Sequence, residues 1–409
     1  MSTPQDPSKT PRVDSAQIGP DEVPPNEGQK RAVSHASAGS TSGTNQPVDG
    51  NGNGHGGAVA TAPRTTVSGS NRLGLLRDVY KGSATTLCAG CGHNAITNHI
   101  IKAFYDYGVN PYYLAKMSGI GCSSKAPDYF VSRAHGFNSV HGRMPSVATG
   151  AKLANRKLVV VGISGDGDTA SIGLGQYCHM IRRNLDMVYI CEDNGVYGLT
   201  KGQFSATADL GSIQKGGKPN EFETIDICAL AIELGASFVA RSFSGDGKQV
   251  VPLIQAALAH RGAAILDIIS PCVTFNDHDG STKSYAYVKE HDIELDEVDF
   301  IPYYENIQAD YEPGSATDVT LHDGSHVRLR KLAEEEHDVN DRLSALRVIH
   351  EARDKGELLT GLLYVNPQQK DLCELESLPS EDRLLKDLTE EECRVSPEAW
   401  DSLMAEYAN

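Results

Sequence analysis

The chain has 409 residues, with 37 Lys+Arg against 54 Asp+Glu and a formal net charge of −17, room for about two to three domains. No run approaches the ~18 apolar residues of a membrane span, no basic stretch followed by an apolar core opens the chain, and no basic stripe offers itself to nucleic acid; a cytoplasmic protein with neither a membrane nor a nucleic acid as its main partner is expected. Hydrophobic residues make up 39% and aromatics 6%, low for a chain that folds throughout, so one disordered segment is expected.

Residues 1–70 supply that segment. They are rich in Gly, Ser, Thr, Pro and Asn, and Asp49 to Gly57 is nearly a pure linker. Such a stretch buries too little apolar surface to offset its ordering entropy. From 71 to 280 the texture changes. Ile96, Ile100 and Phe104 recur at helical spacing, with Gly108 as a stop. Tyr112–Met117, Leu158–Ile163, Met187–Cys191, Ser237–Ala240 and Ala264–Ile269 read as strands. Ile225–Leu234 and Lys248–His260 read as helices. Strands alternating with helices predict an α/β fold around a parallel sheet. Residues 281–409 form an acidic C-terminal extension expected to pack on the core or on a partner, with a strand over Val327–Leu332 and a helix within Val339–Leu363. Its charge runs, Glu294–Asp299 among them, read as solvated faces.

Chemistry-bearing residues gather at predicted strand ends. Gly165-Asp-Gly-Asp168 directly follows a strand. Ligands of open α/β sheets sit at the carboxyl ends of strands, and glycines there admit a phosphate close to backbone N–H groups. A carboxylate in the same turn would repel a bare diphosphate, but favours one that carries a divalent cation. Asp193-Asn-Gly-Val-Tyr-Gly198 follows the next strand, and Asn194 lies 28 residues after Asp166, about one helical crossover. Asp166 and the Asn194 amide oxygen are thus expected to face one ion, with a backbone carbonyl nearby.

Cysteine forms the second constellation. Nine cysteines without an export signal argue for metal or redox chemistry over disulfides. Cys88-Ala-Gly-Cys91 opens a helix, Cys122 lies in Gly119-Ile-Gly-Cys-Ser-Ser-Lys125, and Cys272 ends the last core strand. Four loop thiolates suit either zinc or an iron–sulfur cluster. Cys178, Cys191 and Cys228 fall inside elements and read as small buried residues, while Cys373 and Cys393 read as ordinary thiols of the tail. His141-Gly-Arg143 on a loop is a weaker anion-facing candidate.

Together these motifs, with Cys88-x-x-Cys-Gly-His93, Asp193-Asn-Gly-Val-Tyr-Gly-Leu-Thr-Lys-Gly-Gln203 and Ser270-Pro-Cys-Val-Thr-Phe-Asn276, resemble the beta subunits of 2-oxoacid:ferredoxin oxidoreductases, in the same order over about residues 85–280. The resemblance is closest to the 2-oxoglutarate-specific members. It implies a thiamine diphosphate-binding fold, a parallel sheet with helices on both faces. It also implies one [4Fe-4S] cluster on Cys88, Cys91, Cys122 and Cys272, and Mg²⁺ on Asp166, Asn194 and the Val196 carbonyl. Cofactor contacts would come from Ile120, Gly121, Cys122, Ser123, Gly167, Asp168, Gly198 and Leu199, with Lys125 and His141 toward the substrate. The implied reaction is coenzyme A-dependent oxidative decarboxylation of 2-oxoglutarate to succinyl-CoA and CO₂, with electrons passed to ferredoxin. The implied partner is an alpha subunit, in a heterodimer or dimer of heterodimers, which supplies the Glu that activates the cofactor. Pyruvate or another 2-oxoacid as substrate, a non-redox thiamine diphosphate decarboxylase, and a zinc-stapled interaction module are the competing readings. Leu87 and Ala89 stand where many relatives have Trp and Pro.

Overall fold

The computed structural model describes residues 68–212, 218–274, 307–320, 326–333, 336–379 and 383–407. Nearly all of the expected N-terminal arm and the Glu294–Asp299 charge run lie outside them. In chain order the principal elements are α1 (Gly92–Tyr107), β1 (Leu114–Ser118), β2 (His135–Asn138), α2 (Met144–Ala154), β3 (Val159–Gly165), α3 (Leu174–Arg182) and β4 (Met187–Asp193). A small hairpin of β5 (Val196–Tyr197) and β6 (Gln203–Phe204) follows, then α4 (Ile227–Glu233), β7 (Phe238–Phe243), α5 (Gly247–Ala259) and β8 (Ala263–Ile269). The extension adds β9 (Ala316–Thr320), β10 (His326–Lys331) and β11 (Leu358–Val365).

Nine strands make one sheet in the order β2-β1-β3-β4-β8-β7-β11-β10-β9. The six from β2 to β7 run parallel. Alternate residues of a strand face opposite sides, and β4 shows the consequence. Met187, Tyr189 and Cys191 enter one core with α2, α3 and α4. Val188 and Ile190 enter the other with α1 and α5. Helices on both faces explain why these strands read as unbroken apolar runs. Within the first core Arg241 of β7 bridges Asp267 of β8 at 2.7 Å and Asp226, the α4 cap, at 2.6 Å.

The extension completes the sheet: β11 pairs antiparallel with β7 and parallel with β10. Lys331 of β10 fastens it by an ion pair of 2.6 Å to Asp246, which caps α5. The helix expected within Val339–Leu363 proves to be a helix, Arg342–Asp354, followed by β11. Gly356, at φ 68°, turns the chain out of the helix. Such a left-handed residue is the common glycine stop, and the apolar run after it pairs as a strand.

Sheet order also locates a crevice. Leaving β1 the chain moves outward to β2, and leaving β3 it moves the opposite way to β4. The connections after two neighbouring strands diverge, which opens a cleft at their carboxyl ends.

Candidate functional site

That cleft is lined by Ile120, Gly121, Cys122 and Ser123 after β1, by Gly165 to Asp168 after β3, and by Asn194 and Val196 to Thr200 after β4. His93, His141 and Glu192 complete it. It therefore gathers every residue expected to touch the cofactor, the three expected magnesium ligands and His141. Lys125, Cys88, Cys91 and Cys272 do not line it.

Asp166 is 1% exposed. One carboxylate oxygen accepts from the Asn194 backbone N–H at 3.4 Å, and the other accepts from the hydroxyls of Thr207, at 2.8 Å, and Ser205. Burial pushes the acid above its ordinary range, while these donors pull it back. Ser205 and Thr207 lie just beyond the β5–β6 hairpin, and nothing in their sequence pattern distinguishes them. Thr207 also reaches Asp193 Oδ1 at 2.8 Å, joining the ends of β3 and β4.

Asp168 is held from three directions. Its Oδ1 accepts from His141 Nδ1 at 3.0 Å and the Gly142 N–H at 2.9 Å, and its Oδ2 from Ser164 Oγ at 3.1 Å. Gly119 is the close approach that makes room, since a Cβ there would stand 1.9 Å from Asp168 Oδ2. The segment Gly167–Ile172 is a short π-type turn, a distortion often found at functional sites.

Behind the cleft the three loops that carry the four cysteines meet. The Cys91 N–H approaches the Cys88 carbonyl at 3.3 Å, the Gly92 N–H approaches the Pro271 carbonyl at 3.4 Å, and Thr274 Oγ1 reaches Cys88 Sγ at 3.5 Å. Burial raises the Cys91 thiol pKa most, and the nearby Cys272, Glu192 and Cys88 raise it further. Cys122 is raised by burial, then by Cys272, with Lys125 opposing. Each of these two thiols thus feels both Cys88 and Cys272. Lys125 sits in the turn Ser123–Tyr129, its charge placed to favour the Cys122 thiolate. Among the described residues, no three His, Cys, Asp or Glu side chains are arranged to hold a single metal ion.

Two further residues were not singled out from sequence. Glu192, fully buried, has neither carboxyl oxygen hydrogen-bonded and is driven well above its ordinary pKa by burial. His93 Nδ1 stands 3.3 Å from it, and burial lowers this imidazole to about 4. His93 was visible in the Cys-x-x-Cys-Gly-His motif; a glutamate ending an apolar strand carries no comparable signal.

The family model described as "Thiamine pyrophosphate enzyme, C-terminal TPP binding domain" matches residues 117–268. The 2-oxoglutarate synthase subunit KorB of Methanocaldococcus jannaschii is 34% identical over 216 residues, which cover 52% of this chain and 79% of that one. The chain belongs to the beta-subunit family of the 2-oxoacid:ferredoxin oxidoreductases. Another member, the 2-oxoacid:ferredoxin oxidoreductase subunit beta of a Sulfolobus species, is 44% identical over 191 residues, 46% of this chain and 63% of its own length. The chain thus spans under two thirds of that relative. A solved 2-oxoglutarate:ferredoxin oxidoreductase from Magnetococcus marinus, with 2-oxoglutarate, coenzyme A and succinyl-CoA bound, superposes with a TM-score of 0.59 at 30% identity, over 74% of this chain and 88% of that one. The family match lies on the strands that frame the cleft. No described helix is long and apolar enough to cross a membrane.

Proposed function

We propose that this chain is the beta subunit of a cytoplasmic 2-oxoglutarate:ferredoxin oxidoreductase. The overall reaction takes 2-oxoglutarate, coenzyme A and two oxidised ferredoxins to succinyl-CoA, CO₂, a proton and two reduced ferredoxins. The observation that carries the reading is the double position of Cys122, which lines the cleft and shares its electrostatic field with Cys88 and Cys272. One loop would thus bring a redox centre and an organic cofactor side by side.

The donor sets fit the implied groups. Asp166, the Asn194 amide and the Val196 carbonyl are hard oxygen ligands, and Mg²⁺ commonly takes one or two carboxylates with substrate phosphates. Four loop thiolates suit a cubane, which takes each thiolate on a different iron, and a cluster beside an organic cofactor can pass electrons where zinc cannot. Thiols that raise one another's pKa ionise together once a metal centre neutralises them. Bound thiamine diphosphate would supply the electron sink for decarboxylation, and the cluster would supply one-electron transfer.

The chain's own residues hold and orient. Glycines of the cleft admit the diphosphate to backbone N–H groups, and Asp168 keeps the loops after β1, β2 and β3 in register. His141 commits Nδ1 to Asp168, so its contact with substrate falls to Nε2. Lys125, in the turn just after Cys122 and outside the cleft lining, would serve as the cation for the substrate carboxylate. An alpha subunit is needed to complete the site and supply the activating Glu.

The test is co-purification with the alpha subunit, followed by viologen-dye reduction with coenzyme A and a panel of 2-oxoacids. Fastest reduction with 2-oxoglutarate is expected, together with iron and acid-labile sulfide. Preference for pyruvate would reassign the substrate, and zinc without iron would remove the redox function.

A further inference from the structure

We propose that His93 is the positioning residue that aims the Asn194 amide oxygen at the divalent cation. The inference rests on the magnesium reading of the cleft and deepens it.

It follows from the direction of hydrogen bonds. The Val196 backbone N–H reaches Asn194 Oδ1 at 3.0 Å. A backbone N–H only donates, so the amide atom it meets is the oxygen. The other atom, Nδ2, therefore stands 3.4 Å from His93 Nε2. An amide NH₂ also only donates, so Nε2 accepts and carries no proton. The ring proton is then on Nδ1, where Ser270 Oγ lies at 2.6 Å and Glu192 Oε2 at 3.3 Å. Each orientation is forced by its neighbour. Asn194 Oδ1 retains a lone pair beyond the Val196 bond, and a hard cation would take it.

The surroundings leave the amide little alternative. His93 is 1% exposed and Asn194 9% exposed, so water is poorly placed to replace the imidazole. His93 follows Cys91 by two residues, and Ser270 precedes Cys272 by two. One ring thus ties two thiol-bearing loops to the strand end that bears the amide. Outer partners of this kind orient metal ligands, and their loss typically lowers metal affinity ~10–100-fold.

The experiment uses the assembled alpha–beta enzyme as wild type, His93→Phe, His93→Leu and His93→Gln. It measures the Mg²⁺ concentration for half-maximal retention of thiamine diphosphate by equilibrium dialysis after EDTA treatment, with iron and sulfide content in parallel. A Gln side chain can accept from Asn194 through Oε1 and donate to Ser270 through Nε2. His93→Phe should raise the Mg²⁺ requirement at least about tenfold, and His93→Gln should restore it to within about threefold. His93→Leu repeats the loss without overpacking should the Phe variant not assemble. A wild-type Mg²⁺ requirement in Phe or Leu, or a Gln variant as impaired as they are, overturns the proposal. Wild-type enzyme that retains thiamine diphosphate without Mg²⁺ overturns the magnesium reading, and this inference with it.

Discussion

Asp168 Oδ1 accepts both the His141 ring at 3.0 Å and the neighbouring Gly142 N–H at 2.9 Å, so one carboxylate oxygen anchors the loop after β2 to the turn after β3. Its other oxygen holds Ser164, within β3 itself. Asp168→Ala would orphan a buried backbone donor, at a cost of about 1–3 kcal/mol. The expected outcome is a lower urea midpoint and loss of thiamine diphosphate on gel filtration. Asp168→Asn, which keeps one acceptor, should fall between. An Ala variant that matches wild type in both measurements would show that the anchor is dispensable.

Lys116 tests the fold apart from the cleft. This β1 lysine is 5% exposed and donates to the carbonyls of Pro127, Phe130 and Val131 at 2.6, 2.7 and 3.0 Å. Burial lowers it to about 8, yet below that pH it stays charged and serves all three acceptors. Lys116→Met fills the volume but leaves the carbonyls unpaired, so a loss of at least about 2 kcal/mol is expected by urea denaturation. An unchanged midpoint would mean the carbonyls find other donors.

His260 should make the fold acid-sensitive. Burial lowers it to about 4 from 6.5, and Nε2 meets Ser237 Oγ at 2.7 Å. Below pH 6.5 the unfolded chain binds a proton there that the folded chain refuses. The stabilisation is full above that pH and drains away as pH falls toward 4, by on the order of 2–3 kcal/mol for the whole window. His260→Phe removes the proton acceptor and should flatten the fall in urea midpoint between pH 7 and 5. Parallel curves for the two proteins would refute this assignment.

Cys272 should separate the two proposed centres. It stands among the thiols but not in the cleft. Cys272→Ser is expected to lower iron and sulfide content severalfold while thiamine diphosphate still binds, since Asp166 and Asn194 are untouched. Full iron content in the variant would exclude Cys272 as a ligand.

Sequence alone determined the strand–helix alternation, the Asp166 and Asn194 spacing, and the four loop cysteines, because each is written in local pattern: apolar runs, glycine turns and residues just past strand ends. Tertiary structure decided what no such pattern encodes. Ser205 and Thr207 reach Asp166 only because the β5–β6 hairpin folds back across two strand ends. His93 meets Asn194 and Ser270 only because α1 begins where β4 and β8 end, at the carboxyl end of the sheet. The apolar stretch after Gly356 became a strand because β7 still had an edge to pair. Hydrogen-bond partners far apart in the chain are chosen by sheet order, and sheet order is settled by packing two cores at once.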